Sequence, residues 1–247
     1  MPAISTPLKI GTAGWNLPGK VAERFPGSGQ HLERYARVLN AVEINSSFYR
    51  PHRAQTYARW SAMTPLGFRF AVKMPREITH RRRLGDAEPL LLQFLGEAAG
   101  LGDHLGPLLV QLPPSLAFDI DVAGRFFDLL RRRHGGGPVA CEPRHASWFE
   151  PQAEALMKEH CVARVAADPE PCPGASQPGG WPGLVYLRLH GSPRMYWSAY
   201  APAQLAAWAQ LLAAYPNAER WCIFDNTAEG AAIEDAMAFQ GLDATAA

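Results

Sequence analysis

Several chemistries are missing from this chain as motifs. Its four cysteines, Cys141, Cys161, Cys172 and Cys222, stand far apart with no C-x-x-C pair. That spacing gives neither a thiolate zinc site nor a disulfide scaffold, and predicts four reduced cysteines acting mostly as small core residues. His-x-His and H-E-x-x-H are absent, so no metal is expected. Gly11 and Gly14 follow the first apolar run but do not complete G-x-G-x-x-G, which argues against a dinucleotide-binding sheet, and no cofactor is expected. No run approaches about 18 apolar residues, so no membrane span is expected. Met1 to Lys9 carries no basic start followed by an apolar stretch, and a cytoplasmic location is the expectation. Charge of one sign is also missing: 24 basic residues face 23 acidic ones, a formal charge of +1. A nucleic-acid partner is therefore possible but not favoured.

What is present is a core. Of 247 residues, 47% are hydrophobic and 19% charged, enough apolar material for one large domain over residues 1–247. Short β-type runs recur at Leu8 to Ala13, Ala41 to Asn45, Phe68 to Lys73 and Leu108 to Leu112. They continue at Val139 to Glu142, Val162 to Ala166, Leu184 to His190 and Trp221 to Asp225. Several are continuously apolar, as strands buried on both faces of a parallel sheet must be. Helical spacing separates them, in Leu32, Tyr35, Val38 and Leu39, in Leu90, Leu91, Phe94 and Leu95, and in Leu205, Trp208 and Leu212. Val122 to Arg133 reads as a helix capped by Asp121, with basic residues in its last turn and glycines beyond. Thr227 can cap a last helix running to about Gln240. This alternation predicts an α/β fold, a TIM-type (β/α)8 barrel of parallel strands, with a doubly wound sheet as the alternative. Two long segments, Gly14 to His31 and Asp168 to Gly183, leave the carboxyl ends of strands, where barrel enzymes place their chemistry.

Those same ends carry polar residues. Strand two closes on Glu43 and Asn45, followed by Ser46, Ser47 and Tyr49; strand three closes on Lys73, followed by Arg76 and His80. Gln111, then Glu142, Arg144 and His145, then Asp168, then Arg188 and His190, then Asp225, Asn226 and Thr227 complete the series. Side chains two apart share a face, so Glu43 goes with Asn45 and Arg188 with His190. Charge inside a buried strand must be paired or functional. The group is thus either an ionic layer or a ligand site. On the second reading, Glu43 or Glu142 is a general base and His190 an acid partner. Arg188, Lys73 and the Thr227 turn hold a small anion, and Trp15, Asn45, Tyr49, His80, Gln111, Arg144 and Asn226 line the pocket. Arg81 to Arg83 form either a solvated loop or a phosphate-facing one.

Gly11-Thr12-Ala13-Gly14-Trp15, Val42 to Tyr49, Lys73-Met74-Pro75 with Ile78-Thr79-His80, and Gln111 to Pro114 occur in order. So do Glu142-Pro143-Arg144-His145 with Ser147-Trp148, Tyr186 to Gly191, and Asn226-Thr227. Together these strings resemble the YecE-like family, catalogued as domain of unknown function 72, over about residues 8–240. The resemblance implies a TIM-type barrel related in shape to sugar isomerases and to phosphodiester-cleaving nucleases, and it supplies no reaction. Pro143 replaces an aromatic residue usual in that family, and Asp225 precedes Asn226 where an Asn pair is common. Three functions are open at this point: an enzyme on a small phosphorylated or sugar-like anion, a nuclease or nucleic-acid binder, and a non-catalytic ligand or partner binder.

Overall fold

The computed structural model describes residues 7–246. Its strands grow from the apolar runs: β1 (Lys9–Thr12), β2 (Ala41–Ile44), β3 (Arg69–Lys73), β4 (Leu105–Gln111) and β5 (Val139–Glu142). After them come β6 (Val162–Arg164), β7 (Ala166–Asp168), the short β8 (Gly179–Gly180), β9 (Leu184–Leu189) and β10 (Glu219–Phe224). The helices are α1 (His31–Tyr35), α2 (Ala54–Ala62), α3 (Glu88–Ala98), α4 (Ile120–His134), α5 (Pro151–Glu159), α6 (Pro202–Ala213) and α7 (Ala231–Ala246). Two expected caps fall elsewhere. Asp119, not Asp121, caps α4, because its carboxylate accepts from the Asp121 and Val122 N–H groups. Thr227 lies in a turn, and α7 begins at Ala231. The Arg131 to Arg133 run ends α4 ahead of Gly135, whose φ of 65° stops the helix.

Paired strands among the described residues are parallel except for the β6–β8 contact. They form two sheets, β1-β10-β9-β7 and β2-β3-β4-β5-β6-β8, rather than one closed ladder. Both seams have a local cause. Between β1 and β2 one bridge links Ala13 to Glu43. Elsewhere along that seam side chains stand in for backbone bonds. The Tyr35 hydroxyl accepts from the Thr12 N–H at 2.9 Å and donates to the Ala41 carbonyl at 3.0 Å. Asn40 takes the Ile10 N–H and donates to the Leu8 carbonyl, each at 2.8 Å. Gly11 is required there, since a Cβ would sit 2.1 Å from the Ala41 carbonyl oxygen. At the other seam the chain changes partner at Val165: β6 pairs with β5, and β7 pairs with β9.

Alternation then divides the core. One face of each strand packs beneath the helices, through residues such as Ile10, Val42, Phe70, Val110, Leu187 and Phe224. The other face builds an inner cluster in which Ala41, Ala71, Ala140 and Ala163 leave room for Tyr186 and Trp221. Those two rings stack at 5.8 Å with 11° between planes. An apolar plug therefore fills the interior below the carboxyl ends. Among the described residues no helix is long and apolar enough to cross a membrane.

Candidate functional site

Two residues beyond the plug, on the same strand faces, apolar side chains give way to charged ones. Ala41 is followed on that face by Glu43, Ala71 by Lys73, Leu109 by Gln111, Ala140 by Glu142, Tyr186 by Arg188 and Ile223 by Asp225. Period-two geometry alone thus stacks a polar layer on an apolar one, and His190 stands one step higher.

Arg188 organises this layer. It is fully buried, and carboxylates take four of its five N–H donors. Nε and Nη2 reach Glu43 at 3.0 and 2.7 Å, Nη1 reaches Glu142 at 2.6 Å, and Nη2 also reaches Asp225 at 3.0 Å. Both oxygens of Glu43 are occupied, since Tyr186 donates its hydroxyl to Oε2 at 3.0 Å. Glu142 is equally saturated. Gln111 donates to Oε2 at 2.9 Å, while Arg144 Nε and Nη2 reach Oε1 at 3.1 and 3.0 Å. Burial alone would raise the Glu142 carboxyl, but Arg188 and Arg144 hold it well below the ordinary carboxylate range. Arg188, expected to hold a ligand, is instead committed to the protein's own carboxylates. Glu43 and Glu142, expected as bases, are committed to it.

His190 lies between two acceptors. Nδ1 is 3.0 Å from Asp225 Oδ2 and Nε2 is 3.3 Å from Glu142 Oε1. Ionised carboxylates only accept, so both contacts are satisfied when both ring nitrogens carry protons. Burial opposes that charge, but the hydrogen bonds to Asp225 and Glu142 outweigh it and raise the His190 pKa. Asp225 answers in the opposite sense: burial would raise it, and Arg188 with His190 brings it down. Tyr196 caps this group, its ring 5.7 Å from His190 and at right angles to it. Its φ of 70° is a left-handed conformation that a bulky residue adopts only when its surroundings enforce it. The enforcing contacts are Tyr196 N–H to the His190 carbonyl at 2.5 Å and Ala228 N–H to the Tyr196 carbonyl at 3.0 Å.

A cavity of about 470 Å³ opens above, walled by Lys73, Arg76, His80, Gln111, Asp225 and Thr227, with Asn45, Phe48 and the exposed Tyr49 also bordering it. Lys73 is 5% exposed, and its ammonium lies 4.3 Å from the centre of the Phe48 ring. Burial and the like charge of Arg188 lower its pKa to about 8. Burial, with Lys73, Arg144 and Arg76 nearby, lowers His80 to about 4, which leaves a neutral ring at pH 7. Thr79 fixes that ring through a 2.8 Å bond to Nδ1. A second cavity of about 490 Å³ adjoins the first along Asn45 and Thr227, and Trp15 and His31 line it. Asn226 is turned away from both, donating to the Ser198 carbonyl and to Asp235 at 2.8 and 2.7 Å. The Arg81 to Arg83 run is held locally: Arg81 pairs with Glu77 at 3.1 Å, and Arg83 donates to the Ser115 carbonyl at 2.8 Å. Among the described residues no group of three or more His, Cys, Asp and Glu side chains is placed to hold a metal ion.

The sequence placed Asp225 in the strand-end series but gave it no role in the ligand site, although alternation from Ile223 puts it on the inner face. Arg76 stood in the same series without a role at the anion site, and the right-angle approach of Tyr196 to His190 depends on a backbone turn that no spacing reveals.

The model of the family described as "Protein of unknown function DUF72" matches residues 9–246. The UPF0759 protein YecE of Escherichia coli K12 is 29% identical over 170 residues, which cover 66% of this chain and 60% of that protein. The chain thus spans about three fifths of that relative's length. A DUF72 family protein from Enterococcus faecalis superposes with a TM-score of 0.80 at 21% identity, over 96% of this chain and 95% of the other. A sugar phosphate isomerase/epimerase from Parabacteroides distasonis gives a TM-score of 0.53 at 12% identity, over 98% and 96%. At those identities the two structural likenesses concern the α/β fold.

Proposed function

The chain belongs to the DUF72 family, whose description assigns no reaction, and we propose from its own geometry an enzyme acting on a small anionic metabolite, phosphorylated or sugar-like. On this reading the two sheets are a TIM-type barrel whose seams are stitched by Tyr35 and Asn40, and the mouth cavity is its active site. The observation that carries the proposal is that this cavity pairs two cations, Lys73 and Arg76, with the carboxylate of Asp225. Its volume suits a metabolite. The fold-level likeness to a sugar phosphate isomerase/epimerase points to the same substrate class as the charge of the walls.

The roles follow from exposure and hydrogen bonding. Arg76 holds the anionic end, since it faces the cavity and no carboxylate of the buried layer ties it. Lys73 polarises a substrate oxygen. Asp225 exchanges the proton, backed by the doubly hydrogen-bonded His190. Glu43, Glu142 and Arg188 form the ionic floor that fixes those groups and do not themselves touch substrate. The chemistry is read as metal-independent because the interior carboxylates already surround a guanidinium.

A thermal-shift panel of phosphorylated metabolites, sugars, organic acids and oligonucleotides tests the reading. A ligand at 100 times its Kd adds about 2.7 kcal/mol, a rise of several degrees for a chain of this size. Small anions should raise the melting temperature, and Arg76→Ala should abolish that rise. A rise with oligonucleotides alone, steeply salt-dependent, would transfer the assignment to nucleic acid.

A further inference from the structure

Lysine is scarce in this protein: four lysines stand beside twenty arginines. Arginine keeps its proton in any protein environment, whereas a lysine amine can lose it and become a nucleophile. Lys20 and Lys158 are exposed. Lys9 is buried and donates to the Gly67 carbonyl at 2.8 Å. Lys73 alone stands at the candidate site.

Its surroundings differ from those of the two arginines inside the polar layer. Arg188 and Arg144 are locked to carboxylates. Among the described residues no carboxylate lies within ion-pair distance of Lys73 Nζ, and Phe48 flanks the group instead. The backbone beneath is fixed, since the Ser47 hydroxyl donates to the Lys73 carbonyl at 2.6 Å and Met74 N–H donates to the Leu109 carbonyl at 2.9 Å. Lys73 lines the cavity, and its amine serves there in no structural ion pair. Resting on the reading of the mouth as a metabolite site, we propose that Lys73 Nζ forms an imine with an anionic aldehyde or ketone.

The step balances without any oxidant or reductant. The neutral amine attacks the carbonyl carbon, a C–N bond forms, and the carbonyl oxygen takes up a proton. Nitrogen then releases a proton, the C–O bond breaks with loss of water, and a protonated imine remains. That cation withdraws electrons from the adjacent carbon, so a C–H bond there becomes acidic toward Asp225, which lines the same cavity. Return of the proton and addition of water release the carbonyl product and restore the amine. A pKa near 8 leaves roughly 300-fold more neutral amine at pH 7 than an ordinary lysine has. Arg76, which lines the same cavity, would seat the anionic group.

Reductive trapping tests this on the unmodified protein. The chain is incubated with dihydroxyacetone phosphate or with pyruvate, treated with sodium cyanoborohydride, digested, and examined by peptide mass spectrometry. The expected result is an adduct at Lys73 at least about tenfold above Lys20 and Lys158, suppressed by excess inorganic phosphate and absent from Lys73→Arg. If Lys73 is labelled no more than Lys20 while either probe still raises the melting temperature, the imine is wrong and the metabolite site stands. If neither probe labels Lys73 and no small anion on the panel shifts the melting temperature, both are wrong.

Discussion

When Lys73 is replaced by methionine, the chain keeps an unbranched stem of similar length and loses an ammonium that the interior holds at a cost. That cost can be sized. The ordinary lysine pKa of 10.5 falls to about 8 in the fold, chiefly because burial strips water from the ammonium and secondarily because Arg188 repels it. The difference corresponds to about 3 kcal/mol of destabilisation while the group is charged. The native pKa lies below the unfolded one, so the penalty is complete below about pH 8 and is relieved as pH rises towards 10.5. Lys73→Met should therefore be more stable than the parent by about 3 kcal/mol at pH 7, and the two should converge near pH 10.5. Urea unfolding at pH 7 and at pH 10, with the slope m checked for constancy, reads this directly. A variant less stable than the parent at pH 7 would rule out a net cost of the buried ammonium. It would mean that Glu43, Glu142 and Asp225 compensate the ammonium more than fully.

Other substitutions address the remaining parts. Arg188→Met leaves three buried carboxylates without their guanidinium, and should cost about 3–5 kcal/mol at pH 7 by chemical denaturation. Part of that loss should be recovered towards pH 4, where the carboxyls can take up protons. His190→Gln should remove a stabilisation that is complete below the ordinary histidine pKa of 6.5 and fades as pH rises through the higher native value. The gap in melting temperature between parent and variant should therefore be wider at pH 6 than at pH 9. Gly11→Ala would push a Cβ against the Ala41 carbonyl and part β1 from β2, costing about 1–3 kcal/mol. Gly19→Ala, in open space, should leave urea unfolding unchanged.

The strands were legible because burial on both faces demands continuous apolar runs, and Val139–Glu142 was placed to the residue. Helix α2 (Ala54–Ala62) and helix α5 (Pro151–Glu159) were not spelled out by pattern, since each buries few large apolar side chains: Tyr57 in the first, Leu156 and Met157 in the second. The two-sheet arrangement could not be read either. It depends on Tyr35 and Asn40 taking the place of ladder bonds, and nothing local distinguishes these residues from ordinary helix and loop residues. At the site, position at the carboxyl ends of strands grouped Glu43, Lys73, Glu142 and Arg188 at one end. It could not tell which of them face solvent. The saturation of Arg188 is a property of three strands meeting around one side chain, and so is the protonation that its neighbours impose on His190.

Recognition of a small anion by the mouth cavity rests on Lys73 and Arg76. The most direct measurement is titration calorimetry of phosphorylated metabolites against their dephosphorylated counterparts, on the parent and on Arg76→Ala. At least one phosphorylated compound should bind more than about tenfold tighter than its neutral counterpart, with the advantage lost in the variant. Equal affinities within every pair, or an advantage that Arg76→Ala leaves intact, would contradict that recognition.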